Sequence, residues 1–201
     1  MTARIVVAGI GNDVRRDDGA GTAVVRDVAA RLGSHVAGTL TCVAPLGEPL
    51  DLLGVWDHCE LAVVVDATRS GAAPGSIRLL ELGHHDGGAD PAGADPAGVE
   101  AGGVETGGVE AAGVEVGGVE VGGVEVVSTG MRSPPSTHGL GIAAVFRLAR
   151  AVGRAPRRVV VVGIEGGDFG IGEGLTVPVR RSVSEAVEAV MSLVGEVAPC
   201  A

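Results

Sequence analysis

Asp17, Asp18, Asp66 and His138 are the side chains whose type and setting suit chemistry in this chain. Asp17 and Asp18 follow Gly9-Ile10-Gly11-Asn12 and precede a segment with helical spacing. Carboxylates at a helix entrance suit the helix dipole, but they would repel a pyrophosphate. The G-x-G-x-x-G fingerprint of dinucleotide binding is also broken, because Val14 stands at its last position. The local pattern leaves two readings: two capping carboxylates, or one that caps and one that faces a metal. Asp66 closes the run Val63-Val64-Val65-Asp66. A carboxylate after an apolar strand is costly unless it is solvated, paired or bound to a cation, so it suits a metal ligand, a general base or a loop cap. His138, in Ser136-Thr137-His138-Gly139, precedes a helical pattern. A helix N-terminus disfavours imidazolium and so favours the neutral, metal-binding form. Two carboxylates and an imidazole match a borderline divalent ion such as nickel or zinc. No two of them have i, i+4 spacing, so their convergence does not follow from the sequence.

Those residues need strands and helices to place them. Arg4–Ile10 and Leu61–Asp66 are continuous apolar runs, as is Arg158–Ile164, and each reads as a buried strand. Thr39–Ala44 is a shorter strand, and Ser76–Leu82 suits an edge strand. Gly19–Leu32, Leu46–Val55, His138–Val152 and Ser182–Val197 read as helices, the last with Ser182 as cap and Glu185 as its capping-box partner. Alternating strands and helices predict an α/β fold, a three-layer α/β/α sandwich around a mostly parallel central sheet of about five strands. Sites in such folds lie outside the carboxyl ends of the strands. Both Asp18 and Asp66 fall at such ends.

Composition narrows the rest. The chain has 201 residues and a net charge of −10, but residues 88–127 hold eight carboxylates and no basic residue. The remainder is therefore near neutral, without the charge balance of a nucleic-acid binder. Residues 88–127 repeat with a period of five, from GADPA to GVEVV, rich in Gly and without large apolar side chains. The expectation is a single domain interrupted by a flexible acidic insertion at about 86–130. A pentapeptide solenoid or a partner-recognition arm are the other readings of that segment. No run reaches the roughly 20 apolar residues of a membrane helix. The N-terminus lacks signal-peptide features, so a cytoplasmic location and no membrane partner are expected. Cys42, Cys59 and Cys200 have no C-x-x-C spacing and read as reduced thiols. No Ser-His-Asp or Cys-His arrangement has motif support.

Taken in order, these segments resemble the [NiFe]-hydrogenase maturation endopeptidases. The resemblance rests on GIGN followed by DDG, VVVDATRSGAAPGSIRLLEL, STHGLGIAAVFRLAR and VVVVGIEGGDFGIGEGLTVPV. It spans nearly everything except the insertion. It implies an endopeptidase that removes the C-terminal extension of a nickel-loaded hydrogenase large-subunit precursor. The nickel would come with the substrate, no organic cofactor would be needed, and Asp18, Asp66 and His138 would be both catalytic and metal-contacting. Asp17 would be a helix cap or a supporting group. The first ligand is often Glu in the family and is Asp here, which shortens its reach by one methylene. Ala44-Pro45-Leu46-Gly47-Glu48-Pro49 stands where several relatives have a D-G-G-T loop, which bears on partner identity.

Two alternatives differ in what they predict. A hydrolase carrying its own metal would purify with stoichiometric metal. A non-catalytic binding module derived from the family would tolerate changes at Asp66 and His138 but not loss of residues 88–127.

Overall fold

The computed structural model describes residues 3–33, 39–82, 118–121, 124–127 and 141–197. Its centre is a sheet in the order β2-β1-β3-β7-β4-β6-β5. The body supplies β1 (Ile5–Ile10), β2 (Leu40–Leu46), β3 (Leu61–Thr68), β4 (Ile77–Leu82) and β7 (Arg158–Glu165). β2, β1, β3 and β7 are parallel, and β4 runs antiparallel to β7. Every residue of β1 and β3 is buried, as expected of continuous apolar runs covered on both faces.

The helices form the two outer layers. α1 (Ala20–Leu32) and α4 (Val177–Val197) cover one face through Val24, Val28, Val183, Val187 and Val190, against Val7, Val63, Val65 and Val162. α2 (Leu52–Val55) and α3 (Ile142–Ala151) cover the other through Leu52, Val145 and Phe146, against Val6, Ala8, Val64 and Val159. Trp56 and Phe146 meet edge-to-face there, their centroids 6.4 Å apart. The three-layer α/β/α sandwich read from the sequence is therefore the observed architecture.

Several boundaries differ from the sequence reading. Leu46 ends β2 rather than opening a helix. Only a 3-10 turn (Pro49–Asp51) and the single turn of α2 follow it, because the residue before Pro49 is disfavoured in helical conformation. α4 starts at Val177, so Ser182 lies inside it, its hydroxyl donating to the Val179 carbonyl at 2.9 Å. Pro178 in the first turn favours this earlier start. α3 begins at Ile142, with Gly141 extended at its cap.

The pentad repeat contributes β5 (Gly118–Val121) and β6 (Val124–Val127). They pair antiparallel with each other, and β6 pairs parallel with β4. These eight residues of the repeat belong to the sheet. The last pentads carry Val on both sides of Glu, which suits a strand. The rest of the repeat, with the flexible reading made for it, lies outside the described residues. Among the described residues, no helix is long and apolar enough to cross a membrane.

Candidate active site

Chain order reverses at β1: β2 lies on one side and β3 on the other. In an open parallel sheet that reversal opens a crevice at the carboxyl ends of the two central strands. The β1 end is shaped by glycine. Gly11 has φ +134°, and a Cβ there would fall 1.8 Å from the Asp18 carbonyl oxygen. A Cβ on Gly21 would meet the Val65 and Ile10 carbonyls at 2.4 and 2.5 Å. The start of α1 thus rests directly on the ends of β1 and β3. The 3-10 turn Arg16–Gly19 carries Asp18 over that end, where its Oδ2 accepts the Asn12 N–H at 3.1 Å.

Asp66 lies on the neighbouring strand. Gly9 pairs with Val65, so Asp66 is one step beyond the paired stretch of β1. Alternation along β3 turns Asp66 to the face covered by α3, the side of Ala62 and Val64. Asp66 is 1% exposed and Asp18 4%. Asp18 over the end of β1 and Asp66 near the carboxyl end of β3 are thus two buried carboxylates beside the point where chain order reverses.

Asp17 does a different job. It does not cap α1, whose start has no side-chain cap hydrogen bond. Its carboxylate instead reaches across to the loop after β7. There it accepts the N–H groups of Gly167, Asp168 and Thr176 at 2.9, 3.0 and 2.7 Å, and the Thr176 hydroxyl at 2.9 Å. Burial alone would raise its pKa, but these four donors outweigh it and hold the carboxyl below its ordinary value. A backbone bridge from Arg15 to Gly172 and an ion pair from Arg16 to Asp168 fasten the same two loops.

Glu165, at the end of β7, has the matching role for the loop after β3. Its carboxylate accepts the Thr68 hydroxyl at 3.0 Å, the Ser70 N–H and hydroxyl at 2.7 and 2.8 Å, and the Gly71 N–H at 2.8 Å. Burial raises its pKa and these bonds more than reverse the effect. Arg69, on the pinned loop, places its guanidinium 4.5 Å from the centroid of Phe169 on the other. The loops after β1, β3 and β7 are thereby tied together around the crevice.

The structure therefore brings Asp18 and Asp66 to one edge of the sheet. His138 lies outside the described residues. Among the described residues, no three His, Cys, Asp or Glu side chains gather into a metal-binding group. Asp17 and Glu165 were missed as loop anchors. Glu165 ends an apolar strand as Asp66 does, and that parallel was the available signal.

Cys59 is 1% exposed, and burial pushes its thiol up to about 11. At pH 8 about one molecule in a thousand would carry the thiolate. Iodoacetamide at pH 8 is therefore expected to leave Cys59 unmodified in the native protein and to modify it after denaturation. Rapid native labelling, read by peptide mass mapping, would contradict this burial.

At the level of sequence, no family model and no curated protein matches the chain. Solved structures do match in fold. The hydrogenase maturating endopeptidase HybD from E. coli aligns with TM-score 0.60 and 21% identity, over 96% of this chain and 93% of its own. The [NiFe] hydrogenase maturation protease HycI from Thermococcus kodakarensis KOD1 aligns with TM-score 0.58 and 21% identity, over 95% and 92%. The HybD protease from Thermococcus kodakarensis gives 0.56 and 19%, over 94% and 98%. Near-complete coverage in both directions makes this a likeness of whole domains, and the chain has the fold of the [NiFe]-hydrogenase maturation proteases.

Proposed function

We propose that this chain is an endopeptidase that removes the C-terminal extension of a nickel-loaded [NiFe]-hydrogenase large-subunit precursor. The observation that carries the reading is the pair of buried carboxylates, Asp18 and Asp66, at the crevice of a fold shared with maturation proteases. In this reading the metal is part of the substrate. Asp18 and Asp66, with His138, engage the nickel and set the scissile bond beside it. Asp66, near the carboxyl end of the fully buried β3, is the residue nearest the chemistry. Asp17 and Glu165 hold the surrounding loops, so that a folded protein substrate meets a shaped edge. Preorganisation of this kind lowers the cost of orienting the bond.

The test uses the host's own substrate. Deleting the gene is expected to leave a hydrogenase large subunit in its longer precursor form on a denaturing gel, and restoring the gene returns the mature band. Normal maturation of every large subunit in the deletion strain would overturn the proposal.

A further inference from the structure

Ile171 is 92% exposed, the most open of the large apolar side chains among the described residues. Phe169, two residues earlier, turns inward and packs in the core. The backbone around Ile171 is nevertheless fixed. The carbonyl of its neighbour Gly172 accepts the Arg16 N–H at 2.9 Å, and the Gly172 N–H is donated to the Val14 carbonyl at 2.9 Å. Gly172 has φ +152°, and a Cβ there would fall 3.1 Å from the Arg16 Nε. Glycine at this position lets the guanidinium lie against the loop and reach Asp168 at 3.2 Å. The Arg15 guanidinium donates to the Phe169 carbonyl at 3.4 Å. The loop is thus held on both sides of Ile171, with that side chain turned out into solvent.

Ile171 does not stand alone. Val14, whose carbonyl holds the Gly172 N–H, is 53% exposed. Val14 also lines an open groove of about 290 Å³, together with Ala23 and Leu175. The charged lining balances, Arg16 and Arg26 against Asp13 and Glu173, and Arg26 pairs with Asp13 at 2.7 Å. Such a groove offers no net charge by which to select an ion, and its volume falls below the roughly 300–1,000 Å³ of small-molecule sites. Apolar side chains inside a rim of balanced charges are instead the anatomy of a protein–protein interface. The patch adjoins the crevice. Gly19 lines the groove and directly follows Asp18. Asp17 accepts the N–H groups of Gly167, Asp168 and Thr176, which lie on either side of Ile171 along the chain.

We infer that Ile171 and Val14, with the groove beside them, dock the folded precursor by an apolar patch on its surface while its cleavage segment lies at the crevice. This rests on the proposed endopeptidase function and deepens it. Contacts remote from the scissile bond supply binding energy that orients the bond itself. A loop fixed before binding loses little freedom on binding, so the burial of Ile171 goes into affinity. The same loop is tied to the turn that carries Asp17 and Asp18. A partner seated on Ile171 is therefore held at a set distance from the crevice carboxylates.

The full-length chain would be assayed on the purified, nickel-loaded host precursor, with Ile171→Ala, Ile171→Asp and Val152→Asp beside the parent. Val152 is 55% exposed where α3 ends and the chain turns toward the start of β7, at the opposite edge of the sheet from the crevice. Ile171→Ala is expected to raise KM about fivefold and Ile171→Asp about thirtyfold, with kcat within about twofold and Tm unchanged. Val152→Asp keeps the parent's KM. Unchanged KM in Ile171→Asp, with an active parent, overturns the inference, as does an equal rise in Val152→Asp. A fall in kcat or Tm in place of the rise in KM assigns Ile171 to the structure of the loop and overturns it too. So does a parent that sediments as a dimer and becomes monomeric in Ile171→Asp at unchanged KM, because a second copy then covers the patch. A parent that cleaves nothing instead refutes the endopeptidase function itself, and the docking surface falls with it.

Discussion

Asp66→Asn is expected to abolish processing while leaving the protein folded. The two side chains have nearly the same shape, and Asp66 is 1% exposed within a fully buried strand. The amide keeps the size and shape of the buried side chain, so the variant should fold and melt cooperatively. The function lost is the one that needs the charge, whether as a ligand to the substrate's metal or as a base toward water. Loss of a positioned acid–base group alone costs about 10²–10⁴-fold. Loss of a metal contact would add to that. Complementing the deletion strain with Asp66→Asn should therefore leave the precursor band in place, although the variant accumulates at the wild-type level. Asp18→Asn should behave alike. Near-normal maturation with Asp66→Asn would remove Asp66 from the chemistry.

The strands were legible because burial on both faces makes them uninterrupted apolar runs, and β1, β3 and β7 carry that mark. Their carboxyl ends pointed to Asp18 and Asp66 by the same logic. Helix starts were less legible. α4 begins five residues before the cap motif at Ser182, because Pro178 suits a first turn and the side chain of Thr176 is engaged by Asp17. The roles of Asp17 and Glu165 depend on loops that lie far away in sequence, 150 residues from Asp17 to Gly167 and 95 from Ser70 to Glu165. No local periodicity encodes such contacts. The five body strands followed from their own residues. The paired strands β5 and β6 did not, because an odd repeat period masks the short Val-rich stretch at the end of the repeat.

Asp17→Asn should separate the loop anchor from the chemistry beside it. The wild-type carboxylate receives four donors, one on Oδ1 and three on Oδ2. An amide offers one acceptor oxygen and turns an N–H₂ toward donors that cannot accept it. At least one half-buried or exposed N–H group then loses its protein partner, and the charge assistance is lost from the rest. Losing hydrogen bonds to a charged group costs about 1.5–3 kcal/mol, and each stranded donor adds to it, so a loss of about 2–4 kcal/mol is expected. At this chain length that is a fall of about 5–15 °C in Tm. The pH dependence gives an independent check. The folded-state pKa of Asp17 is lowered, so its contribution to stability is full above the unfolded-state value and is lost as pH falls through the folded-state value. Glu165 contributes in the same direction. Wild-type stability should therefore drop as the pH falls below about 4, where ordinary carboxylates protonate. Asp17→Asn should start lower and lose less over that range, because one of the two anchors no longer titrates. Denaturant melts at pH 7 and at pH 3 would show it: equal pH losses in wild type and variant would mean that Asp17 does not hold the loop through its charge. Processing by the variant should fall in step with the disordering of the Gly166–Thr176 loop and partly return on cooling, whereas Asp66→Asn stays inactive at every temperature.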